Sequence, residues 1–326
     1  MTSARPHCLA ESLNGALGDL MADDASVVLI GQDIGRLGGV FRVTRGLQDR
    51  FGVNRVRDAM LAESSIVGQA IGMSIAGLKP ICEIQFDGFV YLAMNQIATQ
   101  AARMITRWNG DLALHLVVRV PVGGGIRAVE HHSESNEALF AHIAGLHVAY
   151  PSAPEDAAAM LAYACRLGEP VIFFEPKRLY WHRRRQTRAA GEPVSALGAR
   201  TVRHGSDITV AGYGAVLEDV LAAAEDLADA VDVEVIDLRW IAPMDVDAVV
   251  ASVTRTGRLL VVHEAVGFFG AGAELAAAVS ERAWHELSAP VRRLAPQRSV
   301  YPPADSEDDH LIGRQAIVAA IEEMCP

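Results

Sequence analysis

Apolar residues recur along this chain with two periods that alternate. The leucines between Leu9 and Leu20 stand three or four residues apart, which predicts an amphipathic helix over 8–22. The run from Val27 to Gly31 is short and continuously apolar, which favours a buried strand. Strands and helices that alternate in this way are typical of a mostly parallel sheet covered on both faces.

The same alternation predicts most of the remaining elements. Further strands are predicted at 80–86, 112–120, 146–150, 170–175, 208–212, 233–238, 259–264 and 291–294. Further helices are predicted from Glu63 to about 77, and at 89–107, 136–143, 154–167, 215–229, 245–254, 267–284 and 310–323. The elements fall into two groups, because residues 183–200 are basic and then rich in Ala, Gly and Pro, with no periodicity. We therefore predict an α/β protein with domains at 1–182 and 201–326, joined by a linker at 183–200, each domain a mostly parallel sheet flanked by helices.

Composition excludes several classes of function. The chain has 326 residues, of which 51% are hydrophobic, so two cores can form. Its net charge is -11 and its basic runs are short, which argues against a nucleic-acid surface. No apolar run is long enough for a membrane helix. The four scattered cysteines form no CxxC pair, which predicts a reducing, cytoplasmic environment without disulfides.

Three places along the chain carry candidate chemistry. Glu63 opens a segment of small and apolar residues, where a carboxylate is either a helix-terminal acid or a catalytic acid. Gln85 ends the predicted strand at 80–86. His131 and His132 follow a glycine-rich loop, and their adjacency is not the spacing of metal ligands. The residues alone leave both interpretations of Glu63 open, and they predict no metal site in this chain.

Eight short stretches, taken together and in order, are specific to one family. They are Gly31–Gly35, Gly38–Leu47, Leu61–Glu63, Glu83–Phe86, His132–Ser135, Phe173–Lys177, Glu234–Arg239 and His263–Ala265. With these stretches the chain resembles the β subunit of the thiamine-diphosphate-dependent first component of 2-oxo acid dehydrogenases. The family includes pyruvate, branched-chain 2-oxo acid and acetoin dehydrogenases. The resemblance implies a pyrimidine-binding domain followed by a transketolase-like C-terminal domain.

The resemblance also implies roles for site residues. The family glutamate at the position of Glu63 hydrogen-bonds N1′ of the cofactor's aminopyrimidine, which helps the 4′-amino group take a proton from the thiazolium ring. Gln85 and Phe89 match a polar group and a stacked aromatic ring near the pyrimidine, and Leu61 matches a further ring contact. Phe86 is open to a ring contact or to core packing. His132 matches a histidine that holds the substrate carboxylate or moves a proton during acyl transfer.

What the chain lacks implies its partners. The family binds Mg²⁺ and the cofactor's diphosphate through a Gly-Asp-Gly motif, and this sequence contains none. The resemblance therefore implies an α subunit that supplies this half of the site, in an α2β2 heterotetramer that passes acyl groups to a lipoyl acyltransferase. A K⁺ ion is a further implication, although the segment Cys165–Pro170 departs from the family pattern.

The implied reaction is the oxidative decarboxylation of a 2-oxo acid, with branched-chain acids as the first candidate. This preference comes from the segments Glu83–Phe89 and Glu130–Ser133, which look more like branched-chain members. Pyruvate or acetoin dehydrogenase and a thiamine-dependent carboligase are alternatives within the enzymes. A catalytically idle scaffold subunit is the alternative of another class, and the presence of Glu63, Gln85 and His132 argues against it.

Overall fold

The computed structural model describes residues 8–183 and 197–326, and they form two compact units. Among these residues, the first unit comprises 8–122 and 139–183, and the second comprises 123–138 and 197–326. This division differs from the predicted domains in the segment 123–138, which belongs to the second unit. Most of the predicted linker, 184–196, lies outside the described residues.

The first unit alternates helices and strands. Its helices are α1 (Leu9–Asp23), α2 (Leu47–Phe51), α3 (Glu63–Ile75), α4 (Ala102–Arg107), α5 (Glu137–Ala141), which begins at the end of 123–138, and α6 (Pro154–Arg166). Its strands are β1 (Val27–Gly31), β2 (Val56–Asp58), β3 (Lys79–Glu83), β4 (Leu116–Val122), β5 (His147–Ala149) and β6 (Pro170–Pro176). These strands run in the order β5-β6-β4-β3-β1-β2, and every pairing between them is parallel. The predicted α/β fold is therefore confirmed for this unit.

The register of the central strands decides which loops meet. Gly31 at the end of β1 pairs with Glu83 at the end of β3, and Glu83 pairs with Arg119 in β4. Parallel strands put their carboxyl ends at one edge of the sheet, where α/β proteins bind ligands. The residues that follow β1 and β3, including Asp33 and Gln85, therefore lie at that edge.

Two predicted elements of the first unit end differently in the structure. The strand predicted at 80–86 stops at Glu83, so Gln85 and Phe86 lie in the loop after it. The helix predicted at 89–107 consists of a 3₁₀ helix (Asp87–Ala93), a π-helix (Asn95–Ala101) and α4. A break of this kind is invisible to apolar spacing, because three- and four-residue intervals fit all these helix types.

The second unit contains the other elements. Its strands are β7 (Arg200–Arg203), β8 (Ile208–Gly212), β9 (Val233–Asp237), β10 (Trp240–Ala242), β11 (Leu259–Val262) and β12 (Arg292–Leu294). Its helices are α7 (Val216–Asp226), α8 (Val246–Thr256), α9 (Ala271–Arg282), α10 (Glu307–His310) and α11 (Arg314–Met324). The sheet runs β12-β11-β8-β9-β7, with all pairs parallel except the antiparallel edge strand β7.

One hydrophobic core holds the second unit together. Strands β8 and β9 pack their apolar side chains against α7 and α11, with Val210, Val235, Val220 and Ile321 each fully buried. The predicted mostly parallel sheet with flanking helices is confirmed here as well. Within residues 8–183 and 197–326, no helix has the length and apolar content needed to cross a bilayer.

Candidate active site

Glu63 is the first residue of α3 and is only 5% exposed. Ala62 precedes it without a side-chain cap, so Glu63 supplies the negative charge at this helix N-terminus. Among the described residues, its carboxylate has no hydrogen-bond or ion-pair partner. The helix that Glu63 begins packs against β3 and against the 3₁₀ helix that follows it.

An unpartnered carboxylate at this burial is costly. Moving a carboxylate out of water without a compensating hydrogen bond is unfavourable, and the field of the helix end offsets it by only about 0.3–1 kcal/mol. The position therefore suits a carboxylate that binds a polar group from outside the described chain.

Gln85 lies at the carboxyl edge of the first sheet. Its Nε2 donates to Asp33 Oδ2 at 3.1 Å and to the carbonyl of Gln32 at 3.4 Å, so it links the loops after β3 and β1. Asp33 has a backbone φ of 58°, a left-handed conformation that aspartate tolerates better than most residues. Gln85 is half-buried, and its amide is held by protein groups at the edge of the site.

Aromatic side chains surround the same loop. The rings of Phe86 and Phe89 meet edge to face with centroids 6.0 Å apart, and Phe41 meets Phe86 at 5.5 Å. Phe86 and Phe89 are both half-buried, so each keeps a face or edge accessible. Leu61 is 72% exposed. The chain alone therefore presents Leu61 to solvent and does not bury it in a core.

A buried ionic network lies beside this edge, and the sequence did not reveal it. Arg119 in β4 donates to Glu175 Oε1 and Oε2 at 2.6 and 2.7 Å, and to Glu83 Oε2 at 2.7 Å. Tyr180 donates to Glu175 Oε2 at 2.5 Å. Charged residues inside apolar strands were the available signal, but their pairing joins positions 36 and 56 residues apart.

The network shifts the pKa values of its members. Burial raises the pKa of Glu83, with a smaller contribution from the charge of Glu175, although Arg119 opposes both. Burial alone would lower the pKa of Arg119, but the charges of Glu175 and Glu83 outweigh it and raise that pKa. Burial and then Glu175 raise the pKa of Tyr180 well above its ordinary value, so its hydroxyl stays protonated and donates.

A second buried ion pair fixes the turn between β3 and the 3₁₀ helix. Lys177 Nζ, just after β6, lies 2.5 Å from Asp87 Oδ1, and both side chains are fully buried. The ammonium group also lies 5.8 Å from the Phe86 ring centroid. Lys177 belongs to one of the stretches that carried the resemblance, but no role for it was predicted. Its position supports the loop that presents Phe86 and Phe89.

His132 belongs to the second unit, in a 3₁₀ turn over Glu130–His132. Its Nδ1 lies 2.9 Å from the carbonyl oxygen of His131. A carbonyl only accepts hydrogen bonds, so Nδ1 carries the proton and Nε2 is the nitrogen able to accept one. The His131 ring lies edge to face with that of His132, with centroids 4.3 Å apart. His132 is half-buried, whereas His131 is exposed.

The residues described fit one half of a thiamine diphosphate site. Glu63 offers an unpartnered carboxylate to a protonated ring nitrogen, and Phe86 and Phe89 offer accessible aromatic surface. Across residues 8–183 and 197–326, no cluster of His, Cys, Asp or Glu could hold a metal ion. A diphosphate with its Mg²⁺ therefore finds no carboxylate ligand set among these residues.

Several oxygens of the segment considered for K⁺ have protein partners. The carbonyl of Cys165 lies 3.3 Å from His115 Nδ1, and the carbonyl of Gly168 accepts a hydrogen bond from Leu114 N at 2.8 Å. Glu169 pairs with His147.

Two family models match the chain over nearly its whole length. The transketolase pyrimidine-binding domain matches residues 8–182, and the transketolase C-terminal domain matches residues 198–317. A solved structure described as a split-gene transketolase, inactive beta4 tetramer, has the same fold, with a TM-score of 0.79 at 20% identity over 98% of both chains.

Curated relatives are much more similar in sequence. The β subunit of the pyruvate dehydrogenase E1 component from Leifsonia xyli is 43% identical over 96% of this chain and 93% of its own. The β subunit of 3-methyl-2-oxobutanoate dehydrogenase from Mycobacterium tuberculosis is 42% identical over 97% and 91%. The β subunit of 2-oxoisovalerate dehydrogenase from Pseudomonas aeruginosa is 41% identical over 91% and 89%. The relatives are therefore divided between two kinds of 2-oxo acid.

Proposed function

This chain belongs to the β subunits of the 2-oxo acid dehydrogenase first component, and from that premise we propose that it builds the pyrimidine half of a thiamine diphosphate site. The unpartnered carboxylate of Glu63 is the observation that carries the proposal. When bound, the cofactor supplies a carbon nucleophile that attacks the keto group of a 2-oxo acid and allows carbon dioxide to leave.

Glu63 holds a proton at N1′ of the aminopyrimidine. Its location at the start of α3, 5% exposed, limits the access of water to the shared proton, and this low exposure strengthens the hydrogen bond. A ring held in this way is fixed in orientation as well as in protonation state. Glu63 is therefore assigned as a catalytic residue that touches the cofactor.

The loop after β3 positions the ring. Phe86 and Phe89, which meet edge to face, would contact the ring, and Gln85, held by Asp33, would lie at its polar side. Leu61, which the lone chain exposes, becomes covered when the cofactor and the second subunit arrive. The pairing of Lys177 with Asp87 keeps this loop rigid, so the aromatic rings are preorganised.

His132 acts on the acyl group or the substrate carboxylate. With Nδ1 bound to the His131 carbonyl, Nε2 accepts a proton or, when protonated, donates to an oxygen anion. We assign His132 to proton transfer during transfer of the acyl group to a lipoyl group. That transfer implies a lipoyl acyltransferase as a partner.

A separate α subunit completes the site in an α2β2 heterotetramer. The sequence has no Gly-Asp-Gly motif, and the described residues include no carboxylate cluster for Mg²⁺. The α subunit therefore binds Mg²⁺ and the diphosphate. The β chain alone is expected to be inactive.

The substrate we propose is a branched-chain 2-oxo acid. The Mycobacterium tuberculosis and Pseudomonas aeruginosa relatives act, by their names, on such acids. Pyruvate is the second candidate, favoured by the Leifsonia xyli relative at 43% identity. We also propose a cytoplasmic enzyme, since all four cysteines are unpaired, with domains at 1–182 and 201–326.

The experiment is a reconstitution. The chain is purified together with an α subunit that carries a Gly-Asp-Gly motif and is supplied with thiamine diphosphate and Mg²⁺. Decarboxylation of 3-methyl-2-oxobutanoate and of pyruvate, and carbon–carbon cleavage of acetoin, are then compared with an artificial electron acceptor. The proposal expects activity only with both subunits, with the highest kcat/KM for 3-methyl-2-oxobutanoate. A higher kcat/KM for pyruvate would select the second candidate, and an inactive complex would overturn the function.

A histidine variant tests the second half of the assignment. His132→Ala is expected to slow acylation of a lipoyl domain more than it slows decarboxylation. His131→Ala is the matched control, because it removes an exposed imidazole from the adjacent position. Equal losses in the two variants would contradict the role of His132.

A further inference from the structure

The glycine-rich loop that leads to His132 is bound by a distant segment of the same unit. We infer that Glu307 is a positioning residue for His132, because its carboxylate binds two backbone amides of this loop and fixes where the histidine is presented. The inference rests on the proposed role of His132 in acyl transfer. Glu307 touches neither cofactor nor substrate in this account.

The contacts of Glu307 are specific and nearly closed to solvent. Oε1 accepts the amide hydrogen of Gly125 at 3.0 Å, and Oε2 accepts that of Arg127 at 2.9 Å. The hydroxyl of Tyr301 donates to Oε1 at 2.8 Å, and Glu307 is only 1% exposed. Hydrogen bonds from neutral donors to an ionised carboxylate are shorter and stronger than neutral pairs. The carboxylate therefore binds the loop backbone at two amides, those of Gly125 and Arg127.

Tyr301 supports the carboxylate from the other side. Burial, and then the hydrogen bond and charge of Glu307, raise the pKa of Tyr301, so its hydroxyl keeps its proton and donates. A Cβ built on Gly124 would lie 1.8 Å from Tyr301 Oη, which no side chain could tolerate. The glycine thus allows the loop backbone to approach Tyr301 and Glu307 closely.

Arg127 is held in a strained conformation by the same segment. Its φ is 55°, in the left-handed region that arginine rarely occupies. Its guanidinium donates to the carbonyl of Ala304 at 3.0 Å and to Asp308 Oδ2 at 2.7 Å. A residue remains in such a conformation only where surrounding contacts over-determine it. Arg127 lies a few residues before His132, so this strain sets the direction in which the chain reaches the histidine.

Two further hydrogen bonds hold the first residues of the loop, and one of them joins the loop to the segment after His132. The amide of Gly123 donates to the carbonyl of Glu134 at 2.9 Å, which joins the residue after β4 to a residue just beyond His132. The amide of Gly124 donates to the carboxylate of Glu264. Only residues 128 and 129 separate Arg127 from the 3₁₀ turn of Glu130–His132. A shift of Arg127 moves the turn directly.

The first test replaces Glu307 in the assembled α and β protein. Glu307→Gln keeps the size of the side chain but turns one acceptor oxygen into a donor that faces an amide hydrogen. Hydrogen–deuterium exchange of the peptide 123–133 is expected to rise about tenfold, and lipoyl acylation to fall about 10- to 100-fold, as misplacement by about 1 Å does in other enzymes. Decarboxylation with an artificial acceptor is expected to change much less.

Two further variants provide the comparison. Glu307→Asp keeps the carboxylate and is expected to recover part of the acylation rate. Asp309→Asn removes an equal charge from the exposed side of the same short helix and is expected to alter neither readout. Equal effects of Glu307→Gln and Asp309→Asn would overturn the inference, as would unchanged exchange in Glu307→Gln.

A double variant separates positioning from general loss of stability. If Glu307 acts through His132, then Glu307→Gln added to His132→Ala is expected to slow acylation no further. Losses that multiply would overturn the inference. An assembled wild-type protein that cannot acylate lipoyl groups would overturn the proposed function but not the loop contact, which exchange in 123–133 would still support or overturn.

Discussion

Two carboxylates buried in the first unit stand in opposite circumstances. Glu175, 0% exposed, receives two hydrogen bonds from Arg119 and one from Tyr180. Glu63, 5% exposed, has no partner among the described residues. Both side chains are largely shielded from water, yet only Glu175 has hydrogen-bond partners among the described residues.

The presence or absence of protein partners distinguishes a buried carboxylate with a structural role from one that binds a ligand. A buried charge whose partners lie in the fold is typical of a structural network, because its charge and hydrogen bonds are already compensated. A buried carboxylate without partners is stable only if something else binds it, and such groups cluster at functional sites. Variants at Arg119 and Tyr180 test the structural role, and a variant at Glu63 tests the binding role.

The largest effect on stability is expected at Arg119. Arg119→Met fills similar space but leaves Glu83 and Glu175 buried without their cation. We expect the free energy of unfolding to fall by about 3–5 kcal/mol, measured by chemical denaturation of the isolated chain. Arg103→Met, at an exposed arginine, is the control and is expected to change it by less than about 0.5 kcal/mol. Equal effects would show that the network is not structural.

A smaller loss is expected when only a hydrogen bond to Glu175 is removed. Tyr180→Phe deletes the hydroxyl that donates to Glu175 and leaves the pairing with Arg119 intact. Hydrogen bonds to charged groups contribute about 1.5–3 kcal/mol, and we expect a loss in that range in the same unfolding experiment. A loss as large as that of Arg119→Met would contradict the dominance of the ion pair.

The second unit extends the comparison to an unpaired imidazole. His263 is fully buried, its Nδ1 lies 2.8 Å from the Ala265 carbonyl, and its Nε2 has no partner within the part of the chain that the structure describes. Burial lowers its pKa to about 4. Because the unfolded histidine titrates at about 6.5, the stability that His263 contributes is present above about pH 6.5 and is lost as the pH falls toward about 4.

A substitution isolates this pH dependence. Glu137 opposes it, since burial raises its pKa to about 7 and its stabilising term is lost as the pH rises. We therefore compare His263→Leu with the wild type at each pH. The difference in unfolding free energy is expected to shift by about 1 kcal/mol, in favour of the variant, between about pH 7.5 and about pH 5.5. A constant difference would mean that His263 keeps its ordinary pKa.

The smallest effect is expected at an ion pair that water reaches. Lys79 Nζ lies 2.9 Å from Asp24 Oδ2, and the two side chains are 28% and 37% exposed. Lys79→Met is expected to cost less than about 1 kcal/mol, because solvent screens the pair. A cost close to that of Arg119→Met would show that pairing alone, without burial, accounts for the network.

The sequence predicted what depends on local pattern. The apolar runs of β1, β3, β4 and β8 were found because each is buried along its length, apart from Lys79 at the start of β3. The strands β2 and β7 were missed because they lie at sheet edges, where their arginine and aspartate side chains are partly exposed and give no apolar run. Edge strands are defined by their neighbours, and spacing along the chain does not contain that information.

For the candidate site, the sequence likewise indicated individual residues but not the contacts between them. Family motifs identified Glu63, Gln85 and His132, but no pattern indicated that Arg119, Glu83 and Glu175 meet or that Glu307 binds the loop at 125–127. These contacts join residues far apart in sequence, and each residue alone looks like an ordinary charge. The roles of the motif residues stay predictions until variants are measured.

The most direct test measures two properties of Glu63→Gln. In the assembled α and β protein, turnover of the preferred 2-oxo acid is expected to fall at least about 100-fold, as when an electrostatic contact made in the transition state is removed. In the isolated chain, the free energy of unfolding is expected to stay within about 1 kcal/mol of the wild type or to increase, because an unpartnered buried charge is lost. Near-normal turnover, or a loss of stability like that of Arg119→Met, would contradict the account.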